Sequence, residues 1–203
     1  VFATKSGLVK RTRIAEFDNI RKSGKLCISL KENDELIGVK KTDGECDVIM
    51  ASSTGRIAVF NEEEVRVMGR TASGVKGISL ENGKCVGLET AKADDNIIIV
   101  TETGYGKKTH ISEYRKTKRG SKGVKALNIT EKNGNIAAIK RFEENNDLMI
   151  ITNNGIIIRI PLDQISQLGR VTQGTRLINL KDNQIVSTIS LVLNEPEEIE
   201  EVA

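Results

Sequence analysis

Apolar residues along the chain fall into short runs that recur about every fifty residues, and each run is cut off by a glycine turn. Val48–Ser52 and Ile97–Thr101 show no polar alternation and are rich in β-branched side chains. A continuous run of that length predicts a strand buried on both faces. The closing glycines are Gly7, Gly55, Gly104 and Gly155, spaced by 48, 49 and 51. Thr4, Ser52, Thr101 and Thr152 stand three residues before them, and Phe17, Val65, Tyr114 and Ile165 stand ten residues after. A second glycine follows in every unit, Gly24, Gly74, Gly123 and Gly174, 17 residues on in the first unit and 19 in the others.

Four columns kept over four units define an internal repeat, with units at 1–47, 48–96, 97–147 and 148–193 and a tail at 194–203. Each unit reads as four strands. After the first run comes a turn of Ser-Gly, Thr-Gly or Asn-Gly type, which supplies the positive φ of a tight hairpin. The second strand starts at that glycine and leads into a polar connection with one apolar anchor. The third strand is expected at Cys27–Leu30, Gly77–Leu80, Ala126–Ile129 and Leu177–Leu180. The fourth is expected at Leu36–Val39, Cys85–Leu88, Ile136–Ile139 and Ile185–Ile189. Four short strands per unit predict an all-β, propeller-like array of antiparallel blades, one small sheet per unit. With only Pro161 and Pro196 in the chain, few strands are interrupted. The absence of a Trp-Asp dipeptide argues against WD40 blades.

Charge adds a partner class. The net charge of +3 conceals a division, because residues 194–203 hold five glutamates and no lysine or arginine. The body alone carries 31 basic and 23 acidic residues, a net charge of +8. A basic body with an acidic tail points to a polyanionic partner and an internal competitor for it. The basic residues concentrate in the loop before the third strand of every unit: Arg21, Lys22 and Lys25; Arg70 and Lys76; Lys116, Lys118, Arg119, Lys122 and Lys125; Arg170 and Arg176. Gly24, Gly74, Gly120, Gly123 and Gly174 shape these loops. Lysine and arginine neutralise phosphates, while glycines let the backbone approach and donate N–H bonds. One such loop is ordinary surface; the same loop in each blade sets positive charge at intervals along one edge, which suits duplex DNA. Lys10, Arg11, Arg13, Lys107, Lys108 and Arg159 on the second strands are secondary candidates for this track. No recognition helix, zinc finger or aromatic RNA-binding pair accompanies the charge, so contacts should go to the backbone and not to base edges. The alternative reading is a propeller-like scaffold for protein partners.

Other chemistry is poorly supported. Gly104–Thr109 has the flavour of a phosphate loop but fails its spacing and leads into a strand. Cys27, Cys46 and Cys85 contain no CxxC pair, and His110 is the only histidine. Neither a metal site nor a catalytic constellation is expected. The acidic pairs at Glu62–Glu64 and Asp94–Asp95 read as solvated turns. No apolar run is long enough to span a bilayer, and no signal-peptide pattern is present, so a cytoplasmic, monomeric chain is expected.

Several segments resemble the C-terminal domain of DNA gyrase A subunits: Gly104–Tyr114, Glu35–Val39, Val65–Arg70 and Gly74–Ile78. The resemblance runs to about Leu193 and is weaker toward the related domain of topoisomerase IV. It implies a six-bladed β-pinwheel with strands swapped between neighbouring blades and DNA bent around its basic rim. It also implies that the parent enzyme's catalytic tyrosine, its use of ATP and Mg²⁺, and its contacts with the gyrase B subunit or with a second A subunit lie elsewhere. No cofactor is expected in this chain. The chain departs from the family in two ways. It has four units and begins at Val1 rather than Met, so it is expected to be a piece whose first blades lie outside it. The gyrase box, Gln-Arg-Arg-Gly-Gly-Lys-Gly, is also absent, and its nearest counterpart is Lys118–Gly123. The resemblance gives the acidic tail a role in tuning DNA wrapping.

Overall fold

The structure is a computed structural model that describes residues 1–194. The acidic tail, apart from Asn194, lies outside the described residues. Unit one holds β1 (Phe2–Thr4), β2 (Leu8–Lys10) and β3 (Leu36–Val39). Unit two holds β4 (Asp47–Ser52), β5 (Arg56–Asn61), β6 (Val75–Lys76) and β7 (Cys85–Ala91). Unit three holds β8 (Asn96–Thr101), β9 (Tyr105–His110), β10 (Val124–Lys125) and β11 (Ile136–Phe142). Unit four holds β12 (Asn146–Thr152), β13 (Ile157–Pro161), β14 (Thr175–Arg176) and β15 (Val186–Leu193).

The strands form four antiparallel sheets, ordered β3-β1-β2-β6, β7-β4-β5-β10, β11-β8-β9-β14 and β15-β12-β13. The short third strand of a unit therefore lies in the sheet of the unit before it. β6 pairs with β2, β10 with β5 and β14 with β9. The fourth strands β3, β7, β11 and β15 touch in succession and make the hub. The short strands lie at the opposite edge of the first three sheets, on the rim. This is a four-bladed β-pinwheel with swapped strands.

Each central strand serves two cores, which explains why the first runs lack polar alternation. In β4, Val48 and Met50 pack toward unit one with Ala3 and Val9. Their neighbours Ile49 and Ala51 pack toward unit three with Ile97 and Ile99. In β8, Ile98 and Val100 turn instead to Leu148 and Ile150 of unit four. Isoleucines 49, 97, 98 and 99 are fully buried, each contributing about 2 kcal/mol of hydrophobic stabilisation. The expected apolar anchors close one-turn 3-10 segments: Val65, Tyr114 and Ile165 are buried after Glu62–Glu64, Ile111–Glu113 and Leu162–Gln164. In the hub, Glu89 is 2% exposed and meets Lys40 at 2.6 Å and Lys140 at 3.6 Å. Glu89 and Lys140 stand at one register position in β7 and β11, and Lys40 follows directly on β3 at the matching place.

The third strands differ from expectation. Gly77–Leu80, Ala126–Ile129 and Leu177–Leu180 are not strands; the pairing residues lie just before them. The reason is a convergence of donors. The N–H groups of Gly77 and Ile78 both reach the carbonyl of Gly7, at 2.8 and 3.2 Å. Those of Ala126 and Leu127 reach Gly55, and those of Leu177 and Ile178 reach Gly104. Two donors on one acceptor end the ladder, and Ile78 and Leu127 then plug the core at 1% exposure. In unit one, residues 27–30 form no strand, and residues 25–26 pair with none among the described residues.

The first glycine column is fixed by this crossing. At Gly55, with φ +85°, an added Cβ would lie 2.9 Å from the carbonyl oxygen of Leu127 in the next unit. Gly7 and Gly104 face Ile78 and Ile178 in the same way at 2.9 Å, whereas a Cβ at Gly155 meets nothing within 4 Å among the described residues.

Candidate nucleic-acid interface

The basic loops share one construction. A tight turn brings Gly24 N–H to the Arg21 carbonyl, Ala72 to Gly69, Ser121 to Lys118 and Thr172 to Gly169. A glycine with positive φ then turns the chain onto the rim strand. At Gly123, φ is +69° and a Cβ would sit 2.2 Å from the carbonyl oxygen of Ile57, so only glycine allows the loop to lie against β5. Gly24, Gly74, Gly120 and Gly174 also have positive φ.

In units two, three and four an arginine of the loop reaches back to the main chain of the preceding unit. Arg119 donates to the carbonyl of Lys76 at 2.6 Å and Arg170 to that of Lys125 at 2.8 Å. Arg70 makes the equivalent bond to Leu26 at 3.1 Å. The recurrence of Arg70, Arg119 and Arg170 at 49 and 51 residues is the sequence signal for this clasp; Arg21 stands in the same column without making it. These half-buried guanidinium groups thus have a structural task beside the expected one, and they keep further N–H groups unspent.

The remaining candidates divide by environment. Arg21, Lys22, Lys76 and Lys118 are exposed and make no side-chain hydrogen bond or ion pair among the described residues. Lys116 and Lys122 are exposed but pair with Asp47 at 2.9 Å and Glu81 at 2.5 Å. The Lys122–Glu81 pair, exposed on both sides, contributes little and yields readily to another anion. Lys25 donates to the carbonyl of Asp18, and Lys125 to Asn128 Oδ1 at 2.8 Å. Arg176 lies over the Tyr105 ring, 5.4 Å from its centroid, and donates to the hydroxyl at 2.9 Å. That bond holds the Tyr105 phenol below its usual pKa. Arg66 and Arg115 were left out of the expected contacts although they stand one residue after the buried anchors Val65 and Tyr114. Both are exposed and unpaired among the described residues.

The second-strand candidates Lys10 and Lys107 are corrected by the structure: neither faces outward, and both are fully buried. Lys10 donates to the carbonyls of Cys27 and Arg70. Lys107 donates to the carbonyls of Gly169 and Arg170 at 2.7 and 2.8 Å and to Thr172 Oγ1 at 3.2 Å. Each caged ammonium holds the basic loop of the next unit. Burial lowers the pKa of both, that of Lys107 to about 8. Lys108 is half-buried and bonds the Leu162 carbonyl at 2.6 Å. Arg11 meets Glu62 at 3.5 Å and Arg159 meets Asp147 at 2.7 Å. Arg13 is exposed.

Asp43, Cys46 and Glu62 bring three ligand-capable atoms within 4.8 Å of one another. Their lone pairs are already engaged. Glu62 accepts from Thr42 Oγ1 at 2.6 Å, Gly44 N at 2.9 Å, Cys46 N at 3.1 Å and Arg11. The Cys46 thiol donates to Asp43 at 3.2 Å, and burial raises its pKa, which keeps it protonated. The group closes the turn at residues 42–46. No helix among the described residues is long and apolar enough to cross a membrane.

The chain matches the family described as DNA gyrase C-terminal domain, beta-propeller, over residues 1–43, 47–92, 95–143 and 146–192. It is 48% identical over 198 residues to the DNA gyrase A subunit of Staphylococcus epidermidis, covering 96% of this chain and 22% of that protein. Against the same protein of Staphylococcus aureus strain MRSA252 it is 47% identical over 201 residues, covering 98% and 23%. The chain thus spans between a fifth and a quarter of the length of these relatives. Among solved structures, the C-terminal domain of DNA topoisomerase IV superposes with a TM-score of 0.88 at 26% identity, covering 95% of this chain and 61% of that one. A DNA gyrase A C-terminal domain gives 0.84 at 25% identity, covering 95% and 64%. Four matched segments that follow the four units, with close relatives across nearly the whole chain, establish that it belongs to the DNA gyrase C-terminal domain, beta-propeller family.

Proposed function

We propose that this pinwheel binds duplex DNA along its rim without reading base sequence, and that it bends or wraps the duplex as the accessory part of a gyrase A subunit. On this reading the rest of that protein carries catalysis, ATP and Mg²⁺ use, and the contacts with the gyrase B subunit or with a second A subunit; the chain itself performs no chemistry. The observation that carries the reading is that the basic loops of units two, three and four recur at the same edge of successive sheets, beside the short strands and opposite the hub. Positive charge repeated along a curved edge matches the repeated negative charge of a duplex bent around it. Family membership and relatives that are DNA gyrase A subunits support the same role.

Exposed Arg21, Lys22, Lys76, Lys116, Lys118, Lys122 and Lys125 supply most of the contact charge on this reading. Arg70, Arg119, Arg170 and Arg176 divide themselves between holding the rim and facing the duplex. With about 6–10 phosphates engaged, affinity falls ~10³–10⁵-fold between about 50 and 200 mM salt. The test is a titration of the chain with labelled duplexes of increasing length across that range. Affinity that is steeply salt-dependent and grows as the duplex lengthens past one blade supports the track. No binding at low salt would overturn it in favour of a protein-interaction scaffold.

A further inference from the structure

The three seams between neighbouring units are not equivalent. Where units two and three meet, a rim cleft of about 330 Å³ is lined by Arg56, Arg115, Lys125 and Arg170, with Glu113 as its one acid. The cleft draws on three consecutive units: Arg56 from unit two, Arg115 and Lys125 from unit three, and Arg170 from unit four. Matching residues at the seam of units one and two are Leu8, Arg66, Lys76 and Arg119, with Glu64 in place of Glu113. At the seam of units three and four, Tyr105, Ser166 and Arg176 stand in the corresponding places. Net charge over these positions is +3 at the middle seam and +2 at the seam of units one and two.

Three of the cations in the middle cleft are pre-arranged for a ligand. Arg56 is pinned by the carbonyls of Lys122 at 3.0 Å and Gly123 at 2.8 Å. Arg170 is pinned by that of Lys125 at 2.8 Å, and Lys125 by Asn128 at 2.8 Å. Both guanidinium groups keep unspent N–H donors, so their ordering cost is met before a ligand arrives. Arg115 makes no side-chain hydrogen bond or ion pair among the described residues. At the neighbouring seam, Glu64 accepts the main-chain N–H of Arg119 at 2.9 Å. Its carboxylate is thereby held among the cations there.

We infer that the cleft formed by Arg56, Arg115, Lys125 and Arg170 is a phosphate seat and the strongest single anchor on the rim among the described residues. The ligand is a tetrahedral phosphate oxyanion, and the seat rests on the proposed DNA-binding role in that a backbone phosphodiester is its natural occupant. Three guanidinium forks and one ammonium match a phosphate better than a carboxylate or a neutral group. A duplex following the rim would then be gripped at one fixed point and held more loosely to either side.

The experiment compares Arg115→Ala with Arg66→Ala, which occupies the matching position one seam away. Neither side chain has a partner among the described residues, so neither change removes a contact that holds the fold. Duplex affinity near 100 mM salt should fall about ten-fold for Arg115→Ala and about two- to three-fold for Arg66→Ala. In a second arm, inorganic phosphate is titrated without DNA while the side-chain Nε–H signals of Arg56, Arg115 and Arg170 are followed by NMR. A saturable shift of these three signals, with that of Arg66 unmoved, supports the seat. Equal losses for the two variants, with the unaltered chain binding duplex, would overturn the seat as an anchor and leave the rim reading standing. If the unaltered chain binds no duplex, the rim reading fails. Saturable phosphate binding would then support a seat for the free anion, and its absence would overturn the seat as well.

Discussion

The guanidinium of Arg119 donates to the main-chain carbonyl of Lys76 across the boundary between units two and three, at 2.6 Å. Its Nε–H reaches the Glu64 carbonyl at 3.1 Å, so one side chain ties two segments of unit two to a loop of unit three. Arg119→Ala should lower stability by about 1–2 kcal/mol, given a charge-assisted bond on a half-exposed side chain. Arg119→Lys keeps the charge and loses the fork. If the residue mainly clasps, urea unfolding will place the lysine variant close to the alanine one; if it mainly contributes charge, the lysine variant will retain duplex affinity and the alanine variant will not.

Two members of the second glycine column should respond very differently to one added carbon. Gly24 and Gly123 both have positive φ, but a Cβ at Gly24 meets nothing within 4 Å, whereas at Gly123 it meets the Ile57 carbonyl at 2.2 Å. Gly24→Ala should cost about 1 kcal/mol, the strain of the backbone alone. Gly123→Ala adds a clash that only main-chain movement relieves, and should cost about 3 kcal/mol or more. Thermal unfolding of the two variants checks this ordering.

Lys107 should leave a signature in alkaline stability. Burial lowers its pKa from 10.5 to about 8 in the folded chain. Above pH 8 the folded state gives up this proton while the unfolded state keeps it until 10.5. The unfolded state then binds more protons, so this group makes stability rise with pH across that window. Lys107→Met removes that contribution. In urea titrations between about pH 8 and 10, its stability curve should have a smaller slope than the unaltered chain, by at most ~1.4 kcal/mol per pH unit. Identical slopes would show that the caged ammonium does not titrate there.

Glu62 works in the opposite direction. Burial alone would raise its pKa, but the bonds from Thr42, Cys46, Gly44 and Arg11 outweigh it and hold the carboxyl below 4.5. Its contribution is complete above pH 4.5 and is lost as pH falls through the folded value. Glu62→Gln should cost about 2 kcal/mol at neutral pH, because the turn donors lose an ionised acceptor. It should also flatten the acid limb of the stability curve. A variant with an unchanged acid limb would remove Glu62 from that role.

The repeat, the hairpins and the rim loops were legible because each is written in local residue types at a fixed spacing. The need for glycine at Gly55 was visible, but the carbonyl of Leu127 that crowds it was not, since it belongs to the next unit. Third strands were placed on the apolar residues Ile78 and Leu127, which prove to be core plugs. The pairing residues Val75–Lys76 and Val124–Lys125 carry half-polar patterns suited to an edge. Lys10 and Lys107 misled for a related reason: a lysine reads as solvent-facing unless a cage of carbonyls is known, and part of each cage is supplied by a loop 60 or more residues away. The seam cleft needed three units at once and had no local signature.

Because each rim strand is lodged in the sheet of the preceding unit, the sequence period and the sheet are out of step. A duplication or deletion of one whole period then gives a coherent array wherever its breakpoints fall, since every interior sheet still receives a strand from the unit that follows. Only the two ends are altered, where an edge is left bare or a donor segment unreceived. Such a chain can change its number of blades in whole steps with no redesign of the interior. The length of rim offered to a partner is thereby a quantity that gene rearrangement can adjust directly.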